Sequence, residues 1–312
     1  MDINYLLWLQ DLRAATHNVL TPLMRVISSV AASYLVFVPV FIYWCWDKKR
    51  GLLTLASFYL AATLTAVIKL TACVYRPWIK DPRIIPAVKS LPHSYSFPSN
   101  HAVSASVLYL GSAVAFWQKK QTKFLAVLCI VLVLLTLFSR NYLGVHMPQD
   151  VFAGFLLGIV CLYSVWELGL YLKKNPHKEN LLLITVAAAG IAALLFIIYK
   201  SYPMDYSGDK LIVNPQKMKA GAFESCGALI SFCAARYIEK TWICFKATGL
   251  NFKGIMYGLC GLFVLYLLTV YGYKPLKVLV GRNWGHFAFS FISVFYIIAL
   301  YPLILKWLCK QK

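Results

Sequence analysis

Three short segments of the sequence, residues 69–77, 98–101 and 139–150, combine cations, histidines and a carboxylate beside long apolar runs. Two histidines with several cations suit phosphoryl transfer, because one imidazole can attack phosphorus while the other protonates the leaving oxygen. The cations neutralise the phosphate and the charge on the equatorial oxygens of the transition state. The combination predicts transfer through a phosphohistidine, without a metal or another cofactor.

The third segment places an imidazole near a carboxylate. His146 stands two residues before Pro148, a favoured first residue of a helix. Asp150 then falls in the first helical turn, where its carboxylate can reach back, fix the tautomer of the ring and stabilise positive charge on it. Arg140 adds a planar guanidinium suited to phosphate oxygens.

The first two segments supply further cations and a helix N-terminus. Lys69 and Arg76 are seven residues apart, about two helical turns, which predicts that both lie on one helix face. A charge within an apolar run usually marks a site, although a single lysine can also snorkel to the interface. Ser99 is a natural N-cap, so the N–H groups that follow it, with the helix dipole, form an anion site.

Together the segments resemble the signature of the type-2 phosphatidic acid phosphatase superfamily, which also includes vanadium haloperoxidases. Its pattern is Lys-x6-Arg-Pro, Pro-Ser-Gly-His and Ser-Arg-x5-His-x3-Asp, and the first and third motifs match at every specified position. The gaps are of the family's usual size, with 20 residues between Pro77 and Pro98 and 37 between His101 and Ser139. The resemblance covers residues 50–172.

The resemblance implies a role for each residue of the motifs. His146 would be the nucleophile, Asp150 its orienting partner, and His101 the general acid that later helps to activate water. The phosphate would be held by Lys69, Arg76, Ser99, Arg140 and the backbone N–H of Asn100. Asn100 stands where the family has Gly; because this position contributes mainly a backbone N–H, we expect the change to affect the shape of the pocket more than the chemistry.

The composition indicates that these segments are set in a membrane. Hydrophobic residues make up 60% of the chain and charged residues 13%, well below the roughly 25% charged residues of soluble domains. The net charge of +20 comes from short clusters between the apolar runs, which is typical of loops near anionic headgroups. We therefore expect membrane lipids around the chain and no nucleic-acid partner; the oligomeric state is not predicted.

The predicted fold is all-α, a polytopic membrane helical bundle of about nine transmembrane helices around a phosphatase core. The predicted spans cover about residues 22–46, 51–73, 101–118, 122–139, 149–172, 180–199, 217–238, 254–272 and 283–306. As domains we expect an interfacial N-terminal segment at 1–20, the phosphatase core at 21–175 and a C-terminal transmembrane extension at 176–312.

The alternation of spans puts residues 74–100 and 139–148 on one side of the membrane, so that two loops distant in sequence can form one site. The basic clusters fall on the opposite side; they lie at 48–50, 119–123, 173–178, 236–253 and 306–312. Short basic loops prefer the cytoplasm. We therefore expect a plasma (inner) membrane protein whose active site faces the extracytoplasmic side.

The sequence thus predicts a membrane-embedded hydrolase that removes phosphate from a phosphomonoester or pyrophosphate of a lipid-linked substrate, either a lipid phosphate or a polyprenyl pyrophosphate. Three alternatives stay open: a lipid phosphotransferase, a sugar-phosphate phosphatase of the glucose-6-phosphatase type, and a non-catalytic lipid carrier. Glu224, within the seventh predicted span, is a further candidate for a substrate-related role. Its alternative is an ion pair with Lys219 or Arg236 at the membrane edge.

Overall fold

The computed structural model describes residues 2–91, 94–207 and 210–311. Within these ranges the regular structure is helical, apart from a short antiparallel ladder of Tyr206–Ser207 with Lys210–Leu211. The helices are α1 Asp2–Ala15, α2 Thr21–Ser33, α3 Phe37–Phe41, α4 Lys48–Ala72, α5 Pro77–Lys80, α6 Asn100–Phe116, α7 Lys123–Tyr142, α8 Pro148–Lys174, α9 Glu179–Tyr199, α10 Pro215–Ile238, α11 Phe252–Tyr271, α12 Tyr273–Val280, α13 Arg282–Phe295 and α14 Tyr301–Leu308. Short 3₁₀ turns occupy Lys120–Thr122 and Pro176–Lys178, and π-helical turns occupy Ile42–Trp46, Glu239–Ile243 and Tyr296–Leu300. The predicted all-α class is confirmed.

Six helical segments are long and apolar enough to cross a bilayer, which makes the chain an integral membrane protein. They are Lys48–Lys80, Lys120–Tyr142, Pro148–Lys174, Pro176–Tyr199, Phe252–Tyr271 and Arg282–Leu308. Each corresponds to one of the predicted spans.

The helices at the other three predicted spans are too short or too polar to be counted among these six. The span at 22–46 is divided between α2 and a shorter apolar helix, Phe37–Trp46. Helix α6 has only 17 residues. Helix α10 has 24 residues but carries charged side chains, among them Lys217 and Glu224. The predicted count of nine spans is therefore not confirmed.

Helix α4 joins the two halves of the bundle. It packs against α6 and α8, which carry two of the motifs, and also against α9 and α10 of the C-terminal half. Asp47 begins the helix by accepting a hydrogen bond from the Arg50 N–H at 2.9 Å, as an N-cap does. The helix has 25 residues and is therefore about 37 Å long, so its two ends lie at opposite ends of the bundle.

Close contact between α6 and α8 sets the distance between the second and third motifs. A Cβ atom on Gly154 would lie 2.7 Å from the Ser99 carbonyl oxygen, and one on Gly158 would lie 2.7 Å from Ser106 Cβ. Small residues four apart allow membrane helices to approach in this way. As a result the Ser99 N–H reaches the backbone oxygen of Asp150, at 2.9 Å.

The start of α4 lies beside a buried cluster in which glutamates are paired with lysine and arginine side chains. Glu239 is fully buried and accepts from Lys48 Nζ at 2.6 Å and from the Arg236 guanidinium at 2.5 Å. Glu179 in turn accepts from Arg236 at 2.9 Å and from Lys240 at 3.1 Å. Two of the predicted basic clusters, 48–50 and 236–253, thus meet at this end of the bundle, which we call the basic end.

The C-terminal helices share a hydrophobic core with the segment before α4. Trp44 Nε1 donates to the Ile297 carbonyl at 2.8 Å, and the Tyr43 hydroxyl donates to the Ile298 carbonyl at 3.1 Å. Both carbonyls belong to the π-helical turn Tyr296–Leu300, where the backbone ladder departs from the α-helical pattern. The C-terminal half is therefore packed firmly against α4 and its neighbours.

Candidate active site

The structure brings the first and third motifs together at the end of α4 opposite the basic end. His146 is buried, and its Nε2 lies 2.8 Å from Arg76 NH1, which also donates to the Val145 carbonyl at 2.8 Å. A guanidinium has only donors. Nε2 of His146 therefore accepts, and the ring is neutral with its proton on Nδ1.

The other face of the His146 ring meets a serine that the sequence analysis missed. Nδ1 lies 3.3 Å from Ser96 Oγ and 3.6 Å from Asp150 Oδ2, and the Ser96 hydroxyl donates to the same Oδ2 at 2.5 Å. Because 3.6 Å is too long for an ordinary hydrogen bond, Ser96 links the imidazole to the carboxylate. The one available signal was its position in the polar loop three residues before Ser99.

Asp150 occupies the first turn of α8, as predicted from Pro148. Its Oδ2 accepts from the Met147 N–H at 2.9 Å, which fixes the carboxylate at the start of the helix. Asn141 donates to the His146 carbonyl at 2.9 Å and holds the loop from the other side. Gly144, with φ of +67°, lets the chain turn between the two.

The surroundings of His146 favour its neutral form. Burial is the largest cause that lowers the pKa of His146 well below its usual value, and the positive charges of Arg76, Arg140 and Lys69 act in the same direction. A neutral imidazole keeps the Nε2 lone pair that a nucleophile needs.

Arg140 lies buried near this cluster with spare hydrogen-bonding capacity. Its NH1 donates to Ser28 Oγ on α2. Its Nε is buried and has no hydrogen-bond partner among the residues that the structure describes. An unmet buried donor is costly, and an anion bound here would satisfy it.

Lys69 and Arg76 do not share a helix face, so that expectation was wrong. Helix α4 ends at Ala72, and Cys73 takes a left-handed conformation with φ of 48°. Arg76 lies beyond the helix in extended backbone, because the proline after it disfavours the helical region.

Lys69 instead anchors the loop that precedes α6. Its ammonium donates to the carbonyls of Tyr95 at 3.1 Å, Ser96 at 3.2 Å and Pro98 at 2.6 Å. An ammonium has three N–H donors, so these three bonds use all of them, and they hold the backbone of Ser96 in place. The predicted contact of Lys69 with phosphate stays a prediction.

The second motif begins α6 as the sequence analysis expected. Ser99 Oγ accepts from the Ala102 N–H at 3.4 Å as the N-cap. Asn100 is not among the residues with positive φ, so the replacement of Gly adds no backbone strain. The N–H groups of Asn100 and His101 have no intrahelical partner at this position and remain available to an anion.

Asn100, His101 and Lys69 line a cavity of about 600 Å³ that lies between the motif helices and the C-terminal helices. His146 is not among the lining residues described, so the nucleophile position is enclosed while His101 faces open space. No cluster of three His, Cys, Asp or Glu side chains suited to a metal occurs within residues 2–91, 94–207 and 210–311.

Helix α1 ties two loops of the site together. Arg13 donates to the carbonyls of Tyr142 at 2.9 Å and Ile85 at 2.8 Å. Leu6 and Leu9 are buried in one cluster with the side chains of these loops. The interfacial position predicted for residues 1–20 stays a prediction. The structure shows in addition that α1 packs against the loops of the site.

Glu224 has a different partner from those expected. Its carboxylate lies 3.1 Å from His286 Nδ1, whereas Lys219 donates to the Ile198 carbonyl and Arg236 binds the glutamates of the basic end. The expectation of an ion pair with Lys219 or Arg236 was wrong. Glu224 lines the same cavity as His101.

Two known proteins are similar to this chain, both at 34% sequence identity. Phosphatidylglycerophosphatase B of Bacillus subtilis is 34% identical over 129 residues, which are 38% of this chain and 57% of that protein. Undecaprenyl-diphosphatase of Sulfolobus acidocaldarius is 34% identical over 116 residues, 36% of this chain and 51% of that protein. The chain thus spans just over half the length of each of these relatives. No solved structure matches it significantly.

A family model matches the part of the chain that carries the three motifs. The PAP2 superfamily model covers residues 50–174, from the start of α4 to the end of α8, and leaves the helices from α9 onward outside. It therefore includes the whole cluster around His146. The family model thus finds a PAP2 superfamily domain at residues 50–174 of this chain.

Proposed function

We propose that this chain is a membrane-embedded phosphatase that hydrolyses a phosphomonoester or pyrophosphate of a lipid-linked substrate through a phosphohistidine at His146. The observation that carries the proposal is the buried, neutral His146 ring, whose Nε2 accepts from Arg76 while Nδ1 faces Ser96 and Asp150. The names of the relatives, a phosphatidylglycerophosphatase and an undecaprenyl-diphosphatase, support a lipid-linked substrate.

Binding begins when a phosphate oxygen takes the place of Nε2 as the acceptor for Arg76 NH1. The guanidinium stays oriented because its Nε and NH2 remain bound to the Ser94 carbonyl and hydroxyl, each at 2.8 Å. Arg140 Nε and the N–H groups at the start of α6 supply further donors. The phosphate is then surrounded by positive charge in a site shielded from bulk water.

Nε2 of His146 then forms a bond to phosphorus as the bond to the leaving oxygen breaks. His101 gives its proton to that oxygen, which leaves toward the cavity. The ring now carries positive charge, which Asp150 stabilises through Ser96 and the Nδ1 proton. In the second half of the reaction His101 takes a proton from water, the oxygen of that water binds phosphorus, and the Nε2–phosphorus bond breaks to release inorganic phosphate.

A phosphate-release assay on the purified protein in detergent tests the proposal. The substrates are phosphatidic acid, phosphatidylglycerol phosphate, a polyprenyl diphosphate and glucose 6-phosphate. We expect free phosphate from at least one lipid. Phosphate that appears on an acceptor lipid but not in solution would indicate a phosphotransferase, preference for the sugar would indicate a sugar-phosphate phosphatase, and binding without turnover would indicate a carrier.

The proposal includes a plasma (inner) membrane location with the site open to the extracytoplasmic side. It is supported by the charge at the basic end, because basic segments prefer the cytoplasm. Lys89→Cys in the site loop should react with a membrane-impermeant thiol reagent on intact cells, and Lys120→Cys should react only after permeabilisation. Both side chains are exposed. Labelling of both from one side would contradict this topology.

A further inference from the structure

The cavity beside His101 follows α4 into the interior of the bundle. One stripe of α4 lines it, at Phe58, Ala62, Thr65 and Lys69, the spacing of a single helix face. Phe58 is eleven residues before Lys69, which corresponds to a depth of about 16 Å. The cavity therefore extends from the catalytic end toward the middle of a helix that is long enough to cross a bilayer.

The opposite wall comes from helices outside the family domain. Helices α10 and α13, which pack against each other, each present one stripe to the cavity. The lining residues of α10 include Met218, Ala222, Ser225 and Ala228, and those of α13 include Phe289 and Val294. Without these helices, the cavity would lose this part of its wall.

The polarity of the lining changes with depth. The catalytic end carries His101 and Lys69, together with Lys217, Glu224 and Arg282 from the C-terminal helices. The deep end is lined by Val36, Phe37, Phe58, Leu265 and Ile297. An amphiphile with an anionic head and a hydrocarbon tail matches this gradient, because the cations neutralise its head and the apolar side chains replace the contacts of its tail with lipid.

We propose that α10 and α13, together with α4, form the binding site for the hydrocarbon chain of the phosphorylated lipid. The inference rests on the proposed function, because it takes the phosphate to lie at His101. The size of the cavity is within the range of about 300–1,000 Å³ that is usual for ligand sites. The C-terminal helices are then part of the substrate site, and they select for a chain of sufficient length.

Gly221 on α10 offers a way to fill the cavity without disturbing its walls. A Cβ atom built at this position has no atom within 4 Å. Gly221 lies between Met218, whose sulfur accepts from the Tyr95 N–H at 3.4 Å, and Ser225, whose carbonyl accepts from Thr63 at 3.0 Å. Since Thr63 is deeper along α4 than Lys69, a side chain at 221 projects below the headgroup.

The test compares Gly221→Leu with Ala234→Leu, which adds the same side chain at an exposed position of α10 outside the cavity. The substrates are a long-chain lipid phosphate and para-nitrophenyl phosphate, which has no chain. We expect Gly221→Leu to lower kcat/KM for the lipid by roughly tenfold or more, mainly through KM, and to change the chainless substrate less than about twofold. Ala234→Leu should change neither. Unchanged lipid turnover, or equal losses on both substrates, would overturn the inference.

A binding experiment separates this inference from the proposed chemistry. If the wild type releases phosphate from neither substrate, the proposed function fails, and the chain site is tested with a lipid phosphate that carries a photoreactive group at its chain end. Crosslinks should map to α10 and α13 by mass spectrometry and should be weakened by Gly221→Leu but not by Ala234→Leu. Crosslinks confined to the outer faces of the helices would overturn the chain site.

Discussion

The two ends of α4 hold buried charge in opposite ways. At the basic end, Glu239 and Glu179 are matched by lysine and arginine partners at 2.5–3.1 Å. At the catalytic end, three cations lie around His146, and Asp150 is the one carboxylate in the described cluster. A buried guanidinium nitrogen without a partner among the described residues occurs at both ends, Arg140 Nε here and Arg50 Nε at the start of α4, so the two ends differ in the balance of charge.

The difference distinguishes a structural cluster from a binding site. In a balanced cluster each carboxylate has cationic partners, so removing one partner leaves a charge buried and destabilises the fold. A cluster with surplus positive charge is completed by an anion. We therefore expect substitutions at the catalytic end to affect turnover and substitutions at the basic end to affect stability.

The largest expected effect comes from His146→Ala. Turnover should fall by at least about a thousandfold, because the variant lacks the group that accepts the phosphoryl. The measurement is phosphate release, with size-exclusion chromatography as a check that the protein remains folded. His177→Ala, an exposed histidine beside the basic end, is the control and should keep the wild-type rate. Substantial turnover in His146→Ala would contradict the mechanism.

Arg140→Lys should cost roughly a hundredfold in kcat, although the charge is kept, because an ammonium cannot reproduce the planar donors of the guanidinium. Steady-state kinetics on the preferred lipid substrate measures the effect. A rate close to that of the wild type would mean that Arg140 only anchors α2 through Ser28 and that the phosphate binds elsewhere.

Ser96→Ala should lower kcat by about tenfold or more with little change in KM, because Ser96 transmits the charge of Asp150 to the His146 ring. Rapid-quench measurement of phosphohistidine formation should show that the first chemical step has slowed. Ser106→Ala is a matched control, since Ser106 is also fully buried but, among the residues that the structure describes, its hydroxyl bonds only the Ala102 carbonyl of its own helix. Equal losses in both variants would assign Ser96 a packing role.

The pH dependence should reflect the lowered pKa of His146. Because burial and the neighbouring cations favour the neutral ring, kcat/KM should persist below the usual histidine pKa of 6.5 and decline only at lower pH. Arg140→Gln removes one of these cations, so the acid limb should move toward higher pH. An acid limb above pH 6.5 in the wild type would contradict the neutral ring.

Arg236→Met should have the smallest effect on turnover and a clear effect on stability. The variant leaves Glu239 and Glu179 with fewer partners, which should cost about 3 kcal/mol in the free energy of unfolding. The thermal midpoint in detergent should fall, while kcat of the folded fraction should stay within about twofold of the wild type. A large loss of kcat at an unchanged thermal midpoint would contradict the expectation that the basic end serves stability and not turnover.

Much of the molecule follows from local features of the sequence. Long apolar runs require helices, because backbone groups in lipid must be satisfied within the segment. The start of α6 at Ser99 and of α8 at Pro148 could also be predicted, since a cap and a first-turn proline act through neighbouring residues. Motif spacing likewise selected Arg76, Arg140 and Asp150, which the structure gathers around His146, but it did not select Ser96.

Tertiary structure decided how those residues are used. The bond between Arg76 and His146 joins residues 70 apart, and the Ser96–Asp150 bond joins residues 54 apart. Such contacts depend on how α4, α6 and α8 pack, which spacing alone does not specify. The same holds for Lys69, whose partners are loop carbonyls, and for the wall that α10 and α13 add to the cavity. A motif therefore determined which side chains can do chemistry, and packing determined which of their donors and acceptors remain free to do it.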